Sequence, residues 1–270
     1  MPWFYWRKKM QKQKILYVLF LFFALSFLEI TNPGNSKVFA QQCLGKDMLP
    51  QTFEAAVADA RIQEDCELTN NLISINKNNP KLVWEGNQVL VLSWLSSCDN
   101  KSNPESPTCK QEGAFATVKN NYFYWVTTVP EVKEFIARNS IISNSDISWL
   151  RDRLKKYLGL RLNHEKYDNF VEIWVDKNDL IRPCVDTNIE STSCSLIQKN
   201  QILDKDFSDN RKSQWPFTGL GYTYDWGSNE TDIGASEFVI KKGAKIRIKR
   251  IIPTDDYIRS ALNMAITNTH

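Results

Sequence analysis

Carboxylates and an arginine suited to acid–base chemistry gather around one strand-like run, FVEIWVDKNDLIRPC, which contains Glu172, Asp176 and Arg182. Two carboxylates cleave a glycosidic bond when they lie about 5 to 10 Å apart. Along one strand Glu172 and Asp176 would stand about 13 Å apart. Glu172 is therefore a candidate only with Asp225 or Glu237 from another strand. A solvated sheet face with an Asp–Arg pair at a turn is the favoured alternative.

Aromatic residues form a second candidate site. Tyr222, Tyr224 and Trp226 alternate in the run WPFTGLGYTYDWG. In an extended chain they would share one face at intervals of about 7 Å. Together with Trp174 they could stack against a sugar ring or an apolar peptide, because aromatic rings offer a large flat contact area. Packing of the same rings in the core is the alternative, and aromatic residues are common in strands.

Metal and nucleophilic chemistry have little support in the chain. His164 is the only histidine before the last residue, His270, and a single histidine cannot build a multi-histidine metal site. The chain has no G-x-S-x-G nucleophile motif. We therefore predict no metal and no cofactor.

Part of the chain has the order of residues found in one class of transferases. Arg161 or Arg182, then the run 191–193 (Ser-Thr-Ser), then 236–237 (Ser-Glu), follow the order of residues in ADP-ribosyltransferases. Ala235 stands where that family usually has its first acidic residue, and the Ser-Thr-Ser run abuts a cysteine. An exported hydrolase or transferase remains the alternative to a binding domain.

A basic segment, KKGAKIRIKR, occupies positions 241–250. Lys245, Arg247 and Lys249 would share one strand face. They could meet anionic headgroups or polysaccharide. The favoured interpretation is a guarded edge strand, because lysines at sheet edges prevent aggregation.

Periodicity identifies the elements that must position these groups. Alternation of Val171, Ile173 and Val175 predicts a strand with Glu172, Trp174 and Asp176 on its other face. Two strands are predicted in 237–252, joined at 242–243. The runs 83–97 and 114–129 predict a hairpin with a long tip. Helices are predicted over 51–66, 130–139, 143–160 and 255–268. The third has an apolar stripe at Ile147, Leu150, Leu154 and Leu158, with Ser145 or Asp146 as its cap and Gly159 at its end. Helices and strands without regular alternation predict an α+β fold with a mainly antiparallel sheet and several packing helices.

The first 40 residues predict a signal peptide. Lysines and arginines precede an apolar run at 15–28, and the segment ends in Val-Phe-Ala at Ala40. The apolar run spans about 21 Å as a helix, short of a membrane crossing. We predict cleavage, leaving one domain over 41–270 that is periplasmic or secreted. An uncleaved anchor, which would give membrane contact, and a start at Met10 instead of Met1 stay open.

The predicted mature domain is slightly acidic. Residues 1–40 contain six Lys or Arg and one Glu, so the formal net charge of +3 for the whole chain becomes −2 after cleavage. Nucleic acid recognition needs a clustered excess of cations. We therefore exclude nucleic acid as a partner, while an oligomeric state does not follow from the sequence.

The six cysteines all follow the predicted cleavage point, which indicates disulfides formed after export. Six cysteines allow 15 connectivities. Two pairs would close short polar segments, which leaves one longer pair. We predict the bonds Cys98–Cys109, Cys184–Cys194 and Cys43–Cys66.

Several runs of the chain resemble a family of uncharacterised exported or membrane-anchored bacterial proteins, chiefly cyanobacterial. The runs are FVEIWVDKNDLIRPC, GLGYTYDWG and IGASEFVIKKG, with VLVLSWLSS and YWVTTVPEVKEF. The resemblance covers about 84–251 and implies a single exported domain without implying an activity. We therefore expect a non-catalytic domain that binds a carbohydrate, a peptide or an envelope component through the aromatic surface.

Overall fold

A computed structural model of the chain describes residues 52–98, 106–118, 124–141, 144, 146–163, 167–197 and 214–267. The described residues all belong to one unit, Cys43–His270. The predicted signal peptide, Cys43 and His164 lie outside the described residues. None of the helices within those ranges is long and apolar enough to cross a membrane.

The centre of the fold is an antiparallel sheet of eight strands. Its order is β3-β10-β5-β2-β4-β9-β6, with β1 beside β2, and β7 and β8 form a separate pair. The strands are β1 (Trp84–Glu85), β2 (Gln88–Leu95), β3 (Phe115–Thr117), β4 (Tyr124–Thr128), β5 (Asn169–Asp176), β6 (Leu180–Ile181), β7 (Tyr222–Tyr224), β8 (Ile233–Ser236), β9 (Phe238–Ile240) and β10 (Lys245–Pro253).

Four helices among the described residues accompany the sheet, which confirms the predicted α+β class. They are α1 (Phe53–Asp59), α2 (Val129–Asn139), α3 (Ile147–Tyr157) and α4 (Thr254–Thr267). The predicted apolar stripe of α3 is buried at Leu150 and Leu154. The Asp146 side chain caps its first turn, and Gly159 adopts a positive φ of 66° just after the helix.

The two faces of β5 explain the two main cores. Val171 and Ile173 point into a cluster enclosed by the sheet. Phe170 and Trp174 point to the other face, where α2, α3 and α4 cover the sheet. The alternation predicted for this strand is therefore confirmed.

The sheet must be strongly curled. Strands β9 and β10 are joined through a turn at 241–244, yet three other strands separate them in the sheet. A flat sheet would place them about 19 Å apart, more than the tight turn can span. The curl encloses the cluster that contains Val171, Phe238 and Ile246.

Two predicted elements differ from the structure. Helix α1 ends at Asp59 and does not run to 66, and Asp65–Glu67 instead forms a separate 3₁₀ turn. In the predicted hairpin, β2 does pair with β4. Strand β3, however, leaves that hairpin and pairs with β10 at the far edge of the sheet.

The predicted disulfides Cys98–Cys109 and Cys184–Cys194 are both present. Cys66 is disulfide-bonded too, and its predicted partner Cys43 lies outside the described residues. Disulfides form and persist in oxidising compartments. The two described bonds are therefore consistent with an extracellular protein.

Candidate functional site

The four aromatic residues proposed as a stacking surface are buried. Trp174 and Trp226 are each 5% exposed, and Tyr222 and Tyr224 are each 1% exposed. A sugar ring or a peptide cannot reach rings that are enclosed in this way. The predicted exposed stacking surface is therefore wrong, because α1 packs against Tyr224 and Trp226, the N-terminal segment binds both tyrosine hydroxyls, and two basic side chains of β10 lie over Trp174.

The polar ends of three of these rings bind other parts of the domain. The Tyr222 hydroxyl donates to the backbone oxygen of Glu67 at 2.8 Å, and the Tyr224 hydroxyl donates to Asp59 at 2.7 Å. The Trp226 indole donates to the Leu160 carbonyl at 3.2 Å. Burial raises the pKa of both phenols. These residues connect the β7–β8 region to the N-terminal segment and to the end of α3.

Glu172 is fully buried on the helix-covered face of β5. Its carboxylate accepts from Arg250 Nε at 3.0 Å and Nη2 at 2.8 Å. Lys249 Nζ lies 3.4 Å from the same carboxylate. Because it is held by two cations, Glu172 serves here as a charge partner of β10.

Asp225 is buried as well and forms a two-pronged pair with Arg153 of α3. The Arg153 guanidinium donates at 2.8 and 2.7 Å to the two carboxylate oxygens. The backbone N–H of Gly227 donates to the same carboxylate at 3.0 Å. Desolvation raises the pKa of Asp225, and the hydrogen bonds from Arg153 oppose that rise. The pair connects α3 to the segment that follows β7.

We expect Asp225→Ala to lower the free energy of unfolding by about 3 kcal/mol, because Arg153 would stay largely buried without its anion. Asp256→Ala is the matched control, since Asp256 forms an exposed pair with Arg259 and its loss should cost less than about 0.5 kcal/mol. Urea unfolding of the oxidised proteins measures both values. Equal losses for the two variants would contradict the structural role of the buried pair.

Asp176 and Arg182 occupy different environments. Asp176 caps the turn after β5, and hydrogen bonds from the backbone N–H of Asn178 and the side chain of Asn87 lower its pKa. Arg182 is fully buried, and its guanidinium donates to four backbone carbonyls. Its Nε is buried and has no hydrogen-bond partner among the described residues. Arg182 thus binds the backbone, and Asp176 lies at a turn.

Glu237 is the remaining candidate and differs from the others. Its side chain is partly exposed, yet burial raises its pKa to about 8. Within the described part of the chain, no hydrogen bond or ion pair reaches this carboxyl. The five charged candidates share no hydrogen bond or ion pair with one another among the described residues. The arrangement therefore does not assemble the predicted catalytic carboxylate pair.

The ADP-ribosyltransferase order is also not assembled as that family requires. The residues 191–193 lie in the loop closed by Cys184–Cys194 and not in a strand. The Ser236 hydroxyl donates to Glu131 at 3.1 Å. Arg182 does contact the Ser191 carbonyl at 3.0 Å, but this contact fixes the loop backbone.

A group of acidic residues was missed by the sequence reasoning. Asp59, Glu67 and Asp232 place carboxylate oxygens within 4.8 Å of one another, and each has further interactions in the protein. Carboxylate oxygens are the ligands that hard cations such as Ca²⁺ take. These are the described residues that could hold a metal ion. Their wide separation along the chain left no local motif to detect.

The cations of the basic segment lie on the helix-covered side of the sheet, on β10, the second strand from one edge. We call Lys245, Arg247, Lys249 and Arg250 the basic row. Arg247 is opposite Phe115 of β3 and Trp174 of β5. A bulge after Ile248 brings Arg250 opposite Glu172, so that Lys249 and Arg250 both reach this carboxylate.

Strand β10 is not an edge strand, because β3 flanks it on one side and β5 on the other. The interpretation of its lysines as edge guards is therefore wrong. The Arg247 guanidinium lies 5.8 Å and the Lys249 ammonium 5.5 Å from the centre of the Trp174 ring. These two cations cover Trp174, which explains the burial of a ring at the sheet margin.

The fold and its charged surfaces define a disulfide-braced α+β domain with a local cationic face. Comparisons of the chain with protein-family models, with curated proteins and with solved structures found no significant match. The resemblance to exported bacterial proteins therefore stays a prediction.

Proposed function

We propose that the chain is an exported, non-catalytic binding domain that holds an acidic polysaccharide of the cell envelope against the basic row. The observation that carries the proposal is the register of β10, which directs Lys245, Arg247 and Arg250 to one face of the sheet. Lys249 joins them through the bulge. Four cations are thus gathered within six residues.

Local charge supports this choice of surface. The domain over 41–270 has a formal net charge of −2, so a cationic face is a departure from its average. Two carboxylates pair with the basic row, Glu172 and, through Arg247, Glu85. Lys245 is exposed and has no ion pair in the described part of the chain. Positive charge therefore remains in excess along the row.

The shape of the surface favours a linear polymer. Alternate residues of a strand repeat about every 7 Å, so the cations of β10 follow a line along which a polyanion can lie. Phe115 on the neighbouring β3 is 72% exposed and directly opposite Arg247. An exposed ring beside a cation offers a sugar both a flat apolar contact and a charge contact.

The proposed compartment follows from the cysteines and the N-terminal segment. Disulfides such as Cys98–Cys109 and Cys184–Cys194 persist in the periplasm or outside the cell. The basic and apolar segment before Ala40 supplies the features of an export signal. We propose that cleavage releases the domain to the periplasm or the medium, where acidic polysaccharides are accessible.

The test is a binding titration with two defined acidic polysaccharides, heparin and polygalacturonate. We expect the double variant Lys245→Gln/Arg247→Gln to bind both about tenfold more weakly at low salt, because two charge contacts with the polymer are lost, which together contribute about 1 to 2 kcal/mol. Binding should also weaken as salt is raised. Calorimetry at several salt concentrations measures these changes.

The matched control is Lys177→Gln/Arg259→Gln, which removes the same charges from exposed ion pairs elsewhere. It should bind both polymers as the unmodified protein does. Equal losses in the two double variants would overturn the assignment to the basic row. Binding to phosphatidylglycerol vesicles with no binding to either polymer would show a membrane surface as the partner and overturn the polysaccharide.

A further inference from the structure

Two cations pair with the buried carboxylate of Glu172, and a third lies on the same side of the sheet. Arg250 Nη2 is 2.8 Å and Lys249 Nζ is 3.4 Å from the Glu172 oxygens. The Lys133 ammonium of α2 lies 5.5 Å from the centre of the Tyr257 ring. That ring stacks on Phe170 at 4.2 Å, and Phe170 shares one face of β5 with Glu172. Three cations from two elements are therefore gathered on the side of the sheet that carries this carboxylate.

The carboxylate does not use all the donors that face it. Glu172 accepts from Nε and Nη2 of Arg250 and pairs with Lys249. A guanidinium has five N–H donors and an ammonium has three. Arg250 Nη1 and the Lys133 ammonium have no hydrogen bond in the described part of the chain. Within the described residues, these donors are therefore available to a further acceptor.

The charges near Glu172 also leave an excess of positive charge. Desolvation lowers the pKa of Lys133, and Arg250 and Lys249 lower it further, against the opposing effect of Glu172. Glu112, the other carboxylate near Arg250, accepts from the backbone N–H of Ile251 at 3.0 Å. A second anion at this place would relieve the repulsion among the cations.

The cations can be reached from solvent. The side chains of Lys249 and Arg250 are 34% and 47% exposed, whereas that of Glu172 is 1% exposed. Glu172 therefore holds Lys249 and Arg250 in position from the buried side, and both cations remain partly exposed to solvent. A sulfate or phosphate monoester has three unesterified oxygens that can accept from three cationic donors, whereas a carboxylate has two.

We propose that Lys133, Lys249 and Arg250 form an oxyanion site, organised by Glu172, that takes a sulfate or phosphate group of the ligand. The site rests on the proposed function, since it names the anionic group by which the polysaccharide is recognised. Lys133 extends the basic row of β10 onto the helix layer. Sulfated or phosphorylated polymers are then preferred to polymers that contain carboxylates alone.

The experiment titrates the folded, oxidised protein separately with inorganic sulfate and inorganic phosphate at constant ionic strength, with chloride as the reference. The NMR signal of the Arg250 side-chain Nε–H reports binding. Lys133→Gln should raise the dissociation constant at least about tenfold, because a charge-assisted contact is lost. The matched control Lys81→Gln removes an equal charge beside the same helix, where Lys81 pairs with Glu134, and should leave the constant unchanged.

Circular dichroism serves to check that Lys133→Gln is folded. Lys249→Gln is a second variant, for which we expect the same weakening of sulfate and phosphate binding. A response to sulfate, to phosphate or to both identifies the group that the site takes. Equal responses to chloride, or sulfate and phosphate binding that both variants retain, would overturn the site.

The two proposals fail separately. Sulfate or phosphate binding that is lost in Lys133→Gln, without binding of heparin or polygalacturonate, would overturn the polysaccharide function and keep the site. Polymer binding that depends on Lys245 and Arg247, with sulfate and phosphate binding unchanged in Lys133→Gln, would keep the function and overturn the site.

Discussion

Arg182→Met is expected to lower the free energy of unfolding by about 4 kcal/mol. The guanidinium donates to the carbonyls of Gly221, Ile73, Ile189 and Ser191 at 3.3, 2.7, 3.3 and 3.0 Å. Methionine has a similar length but no donor, so these carbonyls would lose their partner in a buried place, and each such loss costs about 1 to 3 kcal/mol. Urea unfolding followed by tryptophan fluorescence measures the change.

The matched control for this prediction is Arg161→Met. The Arg161 guanidinium lies 4.6 Å from the centre of the Phe53 ring, and it is 4.0 Å from the exposed Glu54. Its replacement should cost less than about 1 kcal/mol, because an exposed pair and a cation–π contact contribute little. A loss for Arg182→Met no larger than that of Arg161→Met would refute the role of the carbonyl contacts.

Arg182 therefore belongs to the architecture of the domain. Its contacts join the N-terminal segment at Ile73, the loop closed by Cys184–Cys194 and the turn at Gly221. Gly221 has a positive φ of 77°, and a Cβ there would lie 2.8 Å from the Arg182 side chain. Burial lowers the pKa of Arg182 to about 10, so it remains a cation at neutral pH.

Glu237→Gln is expected to stabilise the protein above pH 8 and to flatten the dependence of its stability on pH. Burial raises the pKa of Glu237 from 4.5 to about 8 in the folded protein. The stability associated with the protonated carboxyl is complete below pH 4.5 and is lost as pH rises through 8. Because the side chain is partly exposed, we expect the variant to be about 2 kcal/mol more stable than the unmodified protein at pH 9.

The measurement is urea unfolding at several values between pH 5 and pH 9. Glu131 and Asp225 also have raised pKa values caused first by burial, and both remain in the variant. The difference between the two curves therefore isolates Glu237. Glu54→Gln, at an exposed position of α1, removes the same formal charge as a control. An unchanged pH slope in Glu237→Gln, or the same change in Glu54→Gln, would show that the Glu237 carboxyl is not the source.

Elements with a clear period were predictable from the sequence. The alternation of Val171, Ile173 and Val175 gives the two faces of β5 because side chains of a strand point alternately to opposite sides. Helix α3 was predicted from its apolar stripe and from Ser145 or Asp146 as its cap, and Asp146 is the residue that caps it. Two of the three disulfides are confirmed, because short polar segments between cysteines leave few alternatives.

Pairings between distant strands were not predictable. Strand β3 follows the disulfide loop of the predicted hairpin, yet it pairs with β10, more than 100 residues away. Their pairing is set by how distant parts of the chain meet in the sheet, and no local pattern encodes it. The interpretation of the basic segment as a guarded edge was wrong for the same reason.

The burial of the aromatic rings was decided by the layers that cover them. Alternation predicted that Tyr222 and Tyr224 share a face, but it does not tell whether that face meets water. In the structure, Phe53 of α1 lies 6.0 Å from Trp226, and the hydroxyls of both tyrosines bind the N-terminal segment. A sequence does not state which segment will pack over a given face.

The sequence by itself determined the α+β class, the disulfides Cys98–Cys109 and Cys184–Cys194 and the prediction of export, because composition, cysteine spacing and periodicity act locally. Only the tertiary structure decided which charges meet. Glu172 pairs with Arg250 and Asp225 with Arg153 because the curled sheet and α3 bring distant residues within 3 Å. The same arrangement places the Lys133 ammonium of α2 5.5 Å from the centre of the Tyr257 ring, on the helix-covered side of the sheet where the basic row lies. Electrostatic contacts depend on distance in space and on burial, and neither can be read from positions along the chain.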